Sequence, residues 1–254
     1  MSFTTKDWID DFRAAVAFLT RVPMPHPEGP LPPNFARGHR AFPLVGALIG
    51  AVSGGVYLVL VALTLPSIAS AALALGASAV LTGALHEDGL ADVADGFGGG
   101  RNKTAKLEIM LDSRLGTYGA LILLVSFAAK LSALAALPRG AVLPSLITVH
   151  ALARAILPVM AMTMPYARKE GLAATAGRPD LATAAIAVAS ALVIASLALS
   201  WVEALGAALV AAAASGGLAI LANRQIGGQT GDVLGAAEQV SETAILLLLA
   251  ARLA

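Results

Sequence analysis

The chain has 254 residues, of which 57% are apolar, 13% are charged and none is cysteine, with a formal net charge of +1. A water-soluble domain carries about 25% charged residues, so this chain has too few to cover a surface facing water and reads as an integral membrane protein. The lack of cysteine excludes disulfide scaffolds, thiolate nucleophiles and thiolate metal centres, and the near-neutral charge leaves no footprint for nucleic acid.

Residues 8–20 put Trp8, Phe12, Ala15 and Leu19 on one helical stripe. They are too few and too charged to cross a bilayer, which predicts a helix lying at the interface. Lys6, Asp7, Asp10, Asp11 and Arg13 interrupt any apolar run that a secretory signal peptide would need. Pro23, Pro25, Pro27, Pro30, Pro32 and Pro33 then predict an extended connector. Residues 41–86, 181–202 and 204–223 contain no Asp, Glu, Lys or Arg, and about 20 apolar residues suffice to cross. Spans are predicted near 44–65, 67–85, 117–137, 141–163, 181–200, 204–222 and 238–254. The fold class is therefore all-α: a polytopic membrane helix bundle of about seven transmembrane helices with an N-terminal interfacial helix. It is a single domain over 1–254, in which 1–43 form an N-terminal segment and 86–116 an acidic catalytic loop.

With the N-terminus on the cytoplasmic side, thirteen Lys and Arg fall in inner loops and only Arg139 and Arg252 outside, the bias that orients membrane proteins. Fifteen of the sixteen acidic residues fall on the same inner side or at its boundary, Glu203 being the exception. A site facing the cytoplasm is the natural inference.

The densest chemical signal is His86-Glu-Asp-Gly-Leu-Ala-Asp-Val-Ala-Asp-Gly96. If the second span continues as a helix, Asp88, Asp92 and Asp95 stand at i, i+4 and i+7 on one face. Three carboxylates on one face repel unless a cation lies among them, and oxygen-only ligands suit Mg²⁺ held together with substrate phosphates. Glu108 and Asp112 repeat the i, i+4 spacing, bracketed by Arg101, Lys103, Lys106 and Arg114. Metal-binding acids beside phosphate-binding bases are what phosphoryl transfer requires, although Glu108 also fits simple salt bridging along a helix. Gly98-Gly99-Gly100 reads as a flexible link between the two acidic segments, and Asp232, in Gly227-Gly-Gln-Thr-Gly-Asp232, either caps the last helix or joins the site. In the fourth span, His150 and Arg154 share a face inside the membrane, where an arginine needs a partner; Glu238 and Glu242 are the candidates. His26 and His39 show no metal spacing and read as solvent or interface residues.

Five ordered segments resemble the cobalamin synthase family, the adenosylcobinamide-GDP ribazoletransferases: Phe18-Leu-Thr-Arg-Val-Pro23, Phe42-Pro-Leu-Val-Gly46, His86 to Gly96, Leu107-Glu-Ile-Met-Leu-Asp-Ser-Arg-Leu-Gly-Thr-Tyr-Gly119 and Gly228-Gln-Thr-Gly-Asp-Val-Leu-Gly-Ala236. The resemblance implies a Mg²⁺-dependent enzyme of the bacterial cytoplasmic (inner) membrane that joins adenosylcobinamide-GDP to α-ribazole or its 5′-phosphate and releases GMP. It implies Asp88, Asp92 and Asp95 as catalytic residues, with Glu108 and Asp112 completing the metal site. Arg101, Lys103, Lys106, Arg114 and Asp232 would contact phosphate. A homo-oligomer is left open. A looser likeness links Asp92-x-x-Asp95-Gly96 and Glu108-x-x-x-Asp112 to the CDP-alcohol phosphotransferases, so a lipid-directed enzyme is one alternative. A cation-coupled transporter using His150, Arg154 and Glu242 is the other, opposed by the one-sided placement of the acids and the lack of an inverted repeat.

Overall fold

The computed structural model describes residues 4–24 and 35–254. Twelve helices run through these residues: α1 (Thr5–Leu19), α2 (Phe35–Gly38), α3 (Phe42–Ala62), α4 (Ser67–Thr82), α5 (Leu85–Gly99), α6 (Lys103–Ile109), α7 (Thr117–Ala136), α8 (Arg139–Thr163), α9 (Leu172–Ala176), α10 (Leu181–Ala198), α11 (Trp201–Ile226) and α12 (Gly231–Leu253). A 3-10 turn, His39–Ala41, joins α2 to α3. Six helical stretches are long and apolar enough to cross a membrane, or seven if α4 and α5 count as one bent span. This is a multi-pass helical membrane protein, as the composition required. Large side chains such as Leu197, Val80 and Leu209 on its outer faces are exposed, where lipid would cover them.

Helix α8 is the axis of the bundle and the most buried of the spanning helices. Helix α3 lies against it through Gly46, Gly50 and Gly54, spaced one turn apart. A Cβ on Gly46 or Gly50 would overlap the backbone carbonyl of His150 or Leu146, so these small residues set the close approach. Alanines do the same on the far side, where Ala191 and Ala195 of α10 and Ala204, Ala207 and Ala211 of α11 belong to one buried cluster with Leu146 and Leu249. Near the C-terminus, Arg252 of α12 lies 3.1 Å from Glu203 of α11.

The N-terminal helix, α1, forms as expected. Thr4 and Asp7 make a capping box, and Ala15 and Leu19 are fully buried. Asp11 pins it to α2 and the 3-10 turn ahead of α3: its Oδ2 lies 3.0 Å from Arg37 Nε and 2.7 Å from Arg40 Nε, with the Arg40 guanidinium 4.0 Å above the Trp8 ring. Pro25, Pro27, Pro30, Pro32, Pro33 and His26 lie outside the described residues. His39 is not a solvent or interface residue; it is buried among Phe35 and Phe42 and its Nδ1 donates to the carbonyls of Phe35 and Ala36.

Three local expectations change. The second span does not continue straight into the acidic segment. Left-handed Gly83 (φ +68°) and Ala84 (φ +54°) turn the chain, and α5 runs at 92° to α4. The Gly98–Gly100 run is not a loose link, because Gly98 and Gly99 complete α5 and Gly100 caps it. Helix α6 ends at Ile109, so Glu108 and Asp112 do not share a helical face.

Candidate active site

Helix α5 carries the acidic segment because its two faces differ. Gly89, Leu90, Val93 and Gly96 are buried, while at i, i+4 and i+7 Asp88 is exposed and Asp92 and Asp95 are half-buried. Two glycines bring α5 onto α12. A Cβ on Gly89 would stand 2.8 Å from the carbonyl oxygen of Asp232, and one on Gly235 would stand 3.3 Å from His86 Cα. That approach places the Asp232 carboxylate among those of α5.

Asp232 occupies the first turn of α12, behind the Thr230 cap. Its Oδ2 accepts from the Thr230 hydroxyl at 3.1 Å and from Arg168 NH2 at 3.3 Å. Arg168 is held there by a strap. Gln229 pairs with Tyr166 as an isolated bridge, its N–H donates to Pro165 O at 2.8 Å and its carbonyl accepts from Ala167 N. Its side-chain amide donates to Ala161 O and Met164 O. The Gly227-Gly228-Gln229-Thr230 motif thus ties the end of α8 to the start of α12, with Gly228 at φ +156°. Arg168 was missed by the sequence reading; its only signal was a position just after the fourth span on the positively charged side.

The carboxyl of Asp92 is pushed up to about 7, first by burial, then by the charges of Asp88, Asp232 and Asp95, against a lowering by Arg168. Asp95 has a different task. Its oxygens accept from the amides of Gly116 and Gly119 at 2.8 Å each, so it satisfies the open N-terminus of α7. A Cβ on either glycine would overlap that carboxylate.

The remaining predicted residues are not gathered around Asp92. Asp112 is paired with Arg114 in a short charge-assisted contact, and that hydrogen bond holds its carboxyl down at about 2. Glu108 is exposed on α6, as are Arg101 and Lys103 near its start. Lys106 Nζ donates to Gln225 Oε1 of α11, and Lys103 Nζ approaches Gly227 of the strap.

Two cavities meet at Asp88. One, of about 190 Å³, is walled by Phe18, Phe42, Leu157 and α9, and carries Asp232 and Arg168. The other, of about 410 Å³, is a more open polar cleft with Arg21 and Thr20. Below α5, within the bundle, lies a buried charge network. Arg154 NH1 stands 2.6 Å from Glu238 Oε1 and 3.0 Å from Glu242 Oε1, so the expected partners of the intramembrane arginine are both present. Glu238 also faces His86 Nδ1 at 3.3 Å. Glu242 meets His150 Nδ1 at 2.5 Å and Lys130 Nζ at 3.6 Å, and Lys130 donates to Gln239 at 2.6 Å. Lys130 and Gln239 were not foreseen in this role.

The family model described as cobalamin-5-phosphate synthase matches residues 11–250. A Bradyrhizobium diazoefficiens protein named adenosylcobinamide-GDP ribazoletransferase is 45% identical, over 98% of this chain and 96% of its own. Proteins of the same name from a Sinorhizobium species and from Azorhizobium caulinodans are 44% and 42% identical, over 96% and 93% of this chain and 97% and 94% of theirs. No solved structure matches the chain.

Proposed function

The chain belongs to the cobalamin-5-phosphate synthase family, and from that premise we propose that it joins adenosylcobinamide-GDP to α-ribazole or its 5′-phosphate and releases GMP, at the cavities flanking Asp88. We place the site on the cytoplasmic face of a bacterial inner membrane, on the side of the thirteen loop cations. The observation that carries the reading is the meeting of Asp88, Asp232 and Arg168 beside an apolar pocket that shares Asp88 with a polar cleft, with Asp92 in the field of all three.

The residues fit Mg²⁺. The donors are oxygen-only, and burial, joined by repulsion among the carboxylates that Arg168 does not cancel, pushes the Asp92 carboxyl up to about 7. Asp92 and Asp232 would hold the ion, since one or two carboxylates plus substrate phosphates is its usual setting. Bound there, Mg²⁺ would neutralise bridging phosphate oxygens and make GMP a better leaving group. Arg21 in the cleft and Arg168 beside Asp232 steady the phosphate charge, in place of Arg114, which is paired with Asp112, and Lys106, which is bonded to Gln225. Asp88, bordering both cavities, accepts the proton of the attacking ribose hydroxyl. Asp95 orients α7 and so holds α5 in register. Glu108 and Asp112 have no part in this arrangement.

Purified protein in lipid vesicles, given adenosylcobinamide-GDP and α-ribazole, is expected to release GMP with Mg²⁺ and not after chelation. Turnover of CDP-diacylglycerol instead would reassign the donor.

A further inference from the structure

We infer that the 190 Å³ cavity beside Asp88 is the pocket for the base of the acceptor nucleoside, and that it selects a fused aromatic ring with an apolar edge. This rests on the ribazoletransferase reading above and adds where the acceptor sits and what chooses it.

The cavity is two-ended. The rings of Phe18 and Phe42 are stacked, 5.9 Å apart and 10° from parallel, and with Leu157 and Leu234 they make an apolar wall. Ala173 and Ala176 of α9 close another side. The charged groups Asp88, Asp232 and Arg168 stand where α5 meets α12. A ligand that fits has an apolar ring in the pocket and a polar sugar beside Asp88, so the ring anchors the hydroxyl next to its proton acceptor.

Size and polarity choose among the reactants. A dry cavity of about 150 Å³ accepts benzene, so a partly open one of 190 Å³ takes a fused bicycle and excludes a corrin macrocycle. Guanine is also a bicycle, but apart from the charged end the lining offers its amide and amino groups only His39 and His86 amid the apolar wall, so part of that polar edge would be buried unpaired, which is costly. The dimethylbenzimidazole of α-ribazole has a hydrocarbon edge and loses nothing there. The donor nucleotide then belongs to the polar cleft with Arg21, on the other side of Asp88.

Each methyl buried in such a pocket favours binding about fourfold, so the enzyme is expected to prefer α-ribazole over the unmethylated benzimidazole riboside by roughly 15-fold in kcat/KM. Ala173→Leu, which narrows the pocket, is expected to raise KM for α-ribazole about tenfold, leave KM for adenosylcobinamide-GDP unchanged and abolish the preference for the methylated ring. A rise confined to the KM of adenosylcobinamide-GDP would give the pocket to guanine, and no change in either would empty it of substrate; both overturn the inference. Should Ala173→Leu not fold, Leu172→Cys supplies the only thiol in the chain, at an exposed position on the cavity rim. α-Ribazole is expected to slow its reaction with a maleimide and GMP is not; protection by GMP alone, or by neither, overturns the proposal. Protection of Leu172→Cys by α-ribazole, together with a wild-type protein that never transfers to α-ribazole, would refute the functional reading and leave the pocket assignment standing.

Discussion

Replacing Arg154 by methionine tests the buried charge network. The native network is balanced, Arg154 and Lys130 against Glu238 and Glu242, all nearly inaccessible. Removing one partner of a buried pair costs about 3–5 kcal/mol, because the remaining charge is left without compensation. The cost falls unevenly here. Without Arg154, Glu242 keeps Lys130 at 3.6 Å and His150 at 2.5 Å, whereas Glu238 keeps only His86 at 3.3 Å and the Gln239 amide at 3.0 Å. Glu238 is therefore the stranded anion. Neutralising it as well, in Arg154→Met with Glu238→Gln, is expected to recover about 2 kcal/mol relative to the sum of the two single changes, within the range for contacting residues. Pairing Arg154→Met with Glu242→Gln is expected to recover less, since that change strips Lys130 of its acid. The measurement is unfolding in mixed detergent micelles followed by the fluorescence of Trp8 and Trp201. Strict additivity with Glu238, or greater recovery with Glu242, would refute the assignment of partners.

Asp92→Asn is expected to abolish GMP release while the protein still inserts and folds; near-normal turnover at limiting Mg²⁺ would remove Asp92 from the site. Because the folded Asp92 titrates near 7 and the unfolded near 3.8, metal-free protein keeps a proton that the unfolded chain has lost. Its stability from this group is complete below about pH 4 and declines as pH rises to about 7. Mg²⁺ must displace the same proton, so its apparent affinity is expected to rise with pH and level off above about 7; a flat profile by calorimetry would contradict this. Gly89→Ala presses on the Asp232 backbone at 2.8 Å and is expected to lower kcat roughly 10- to 100-fold by parting α5 from α12, which unchanged kinetics would disprove. Cysteines at Gly99 and Gly140, both exposed, should be labelled from opposite faces of the membrane. Labelling of both from the periplasm would refute the topology.

Much of this protein is legible in the sequence, because the bilayer imposes its rules locally. A span must be apolar over about 20 residues whatever it packs against, so the crossings could be placed without knowing any contact. The pairing of Arg154 followed from the cost of a lone charge in hydrocarbon. The three aspartates of α5 kept their shared face because i, i+4, i+7 spacing is a property of one helix. The site's other members depend on distant segments and could not be read this way. Arg168 and Arg21 stand beside the acids only because the chain bends by 92° at Gly83 and Ala84, Gly89 and Gly235 let two helices touch, and Gln229 straps α8 to α12. Spacing also overreached where a helix stopped short. Asp112 lies three residues beyond the end of α6 and turns to Arg114, and Asp95 is claimed by the amides of Gly116 and Gly119. Periodicity reports which side chains share a face; which partner a carboxylate meets is decided by the backbone donors and charges that tertiary packing brings to it.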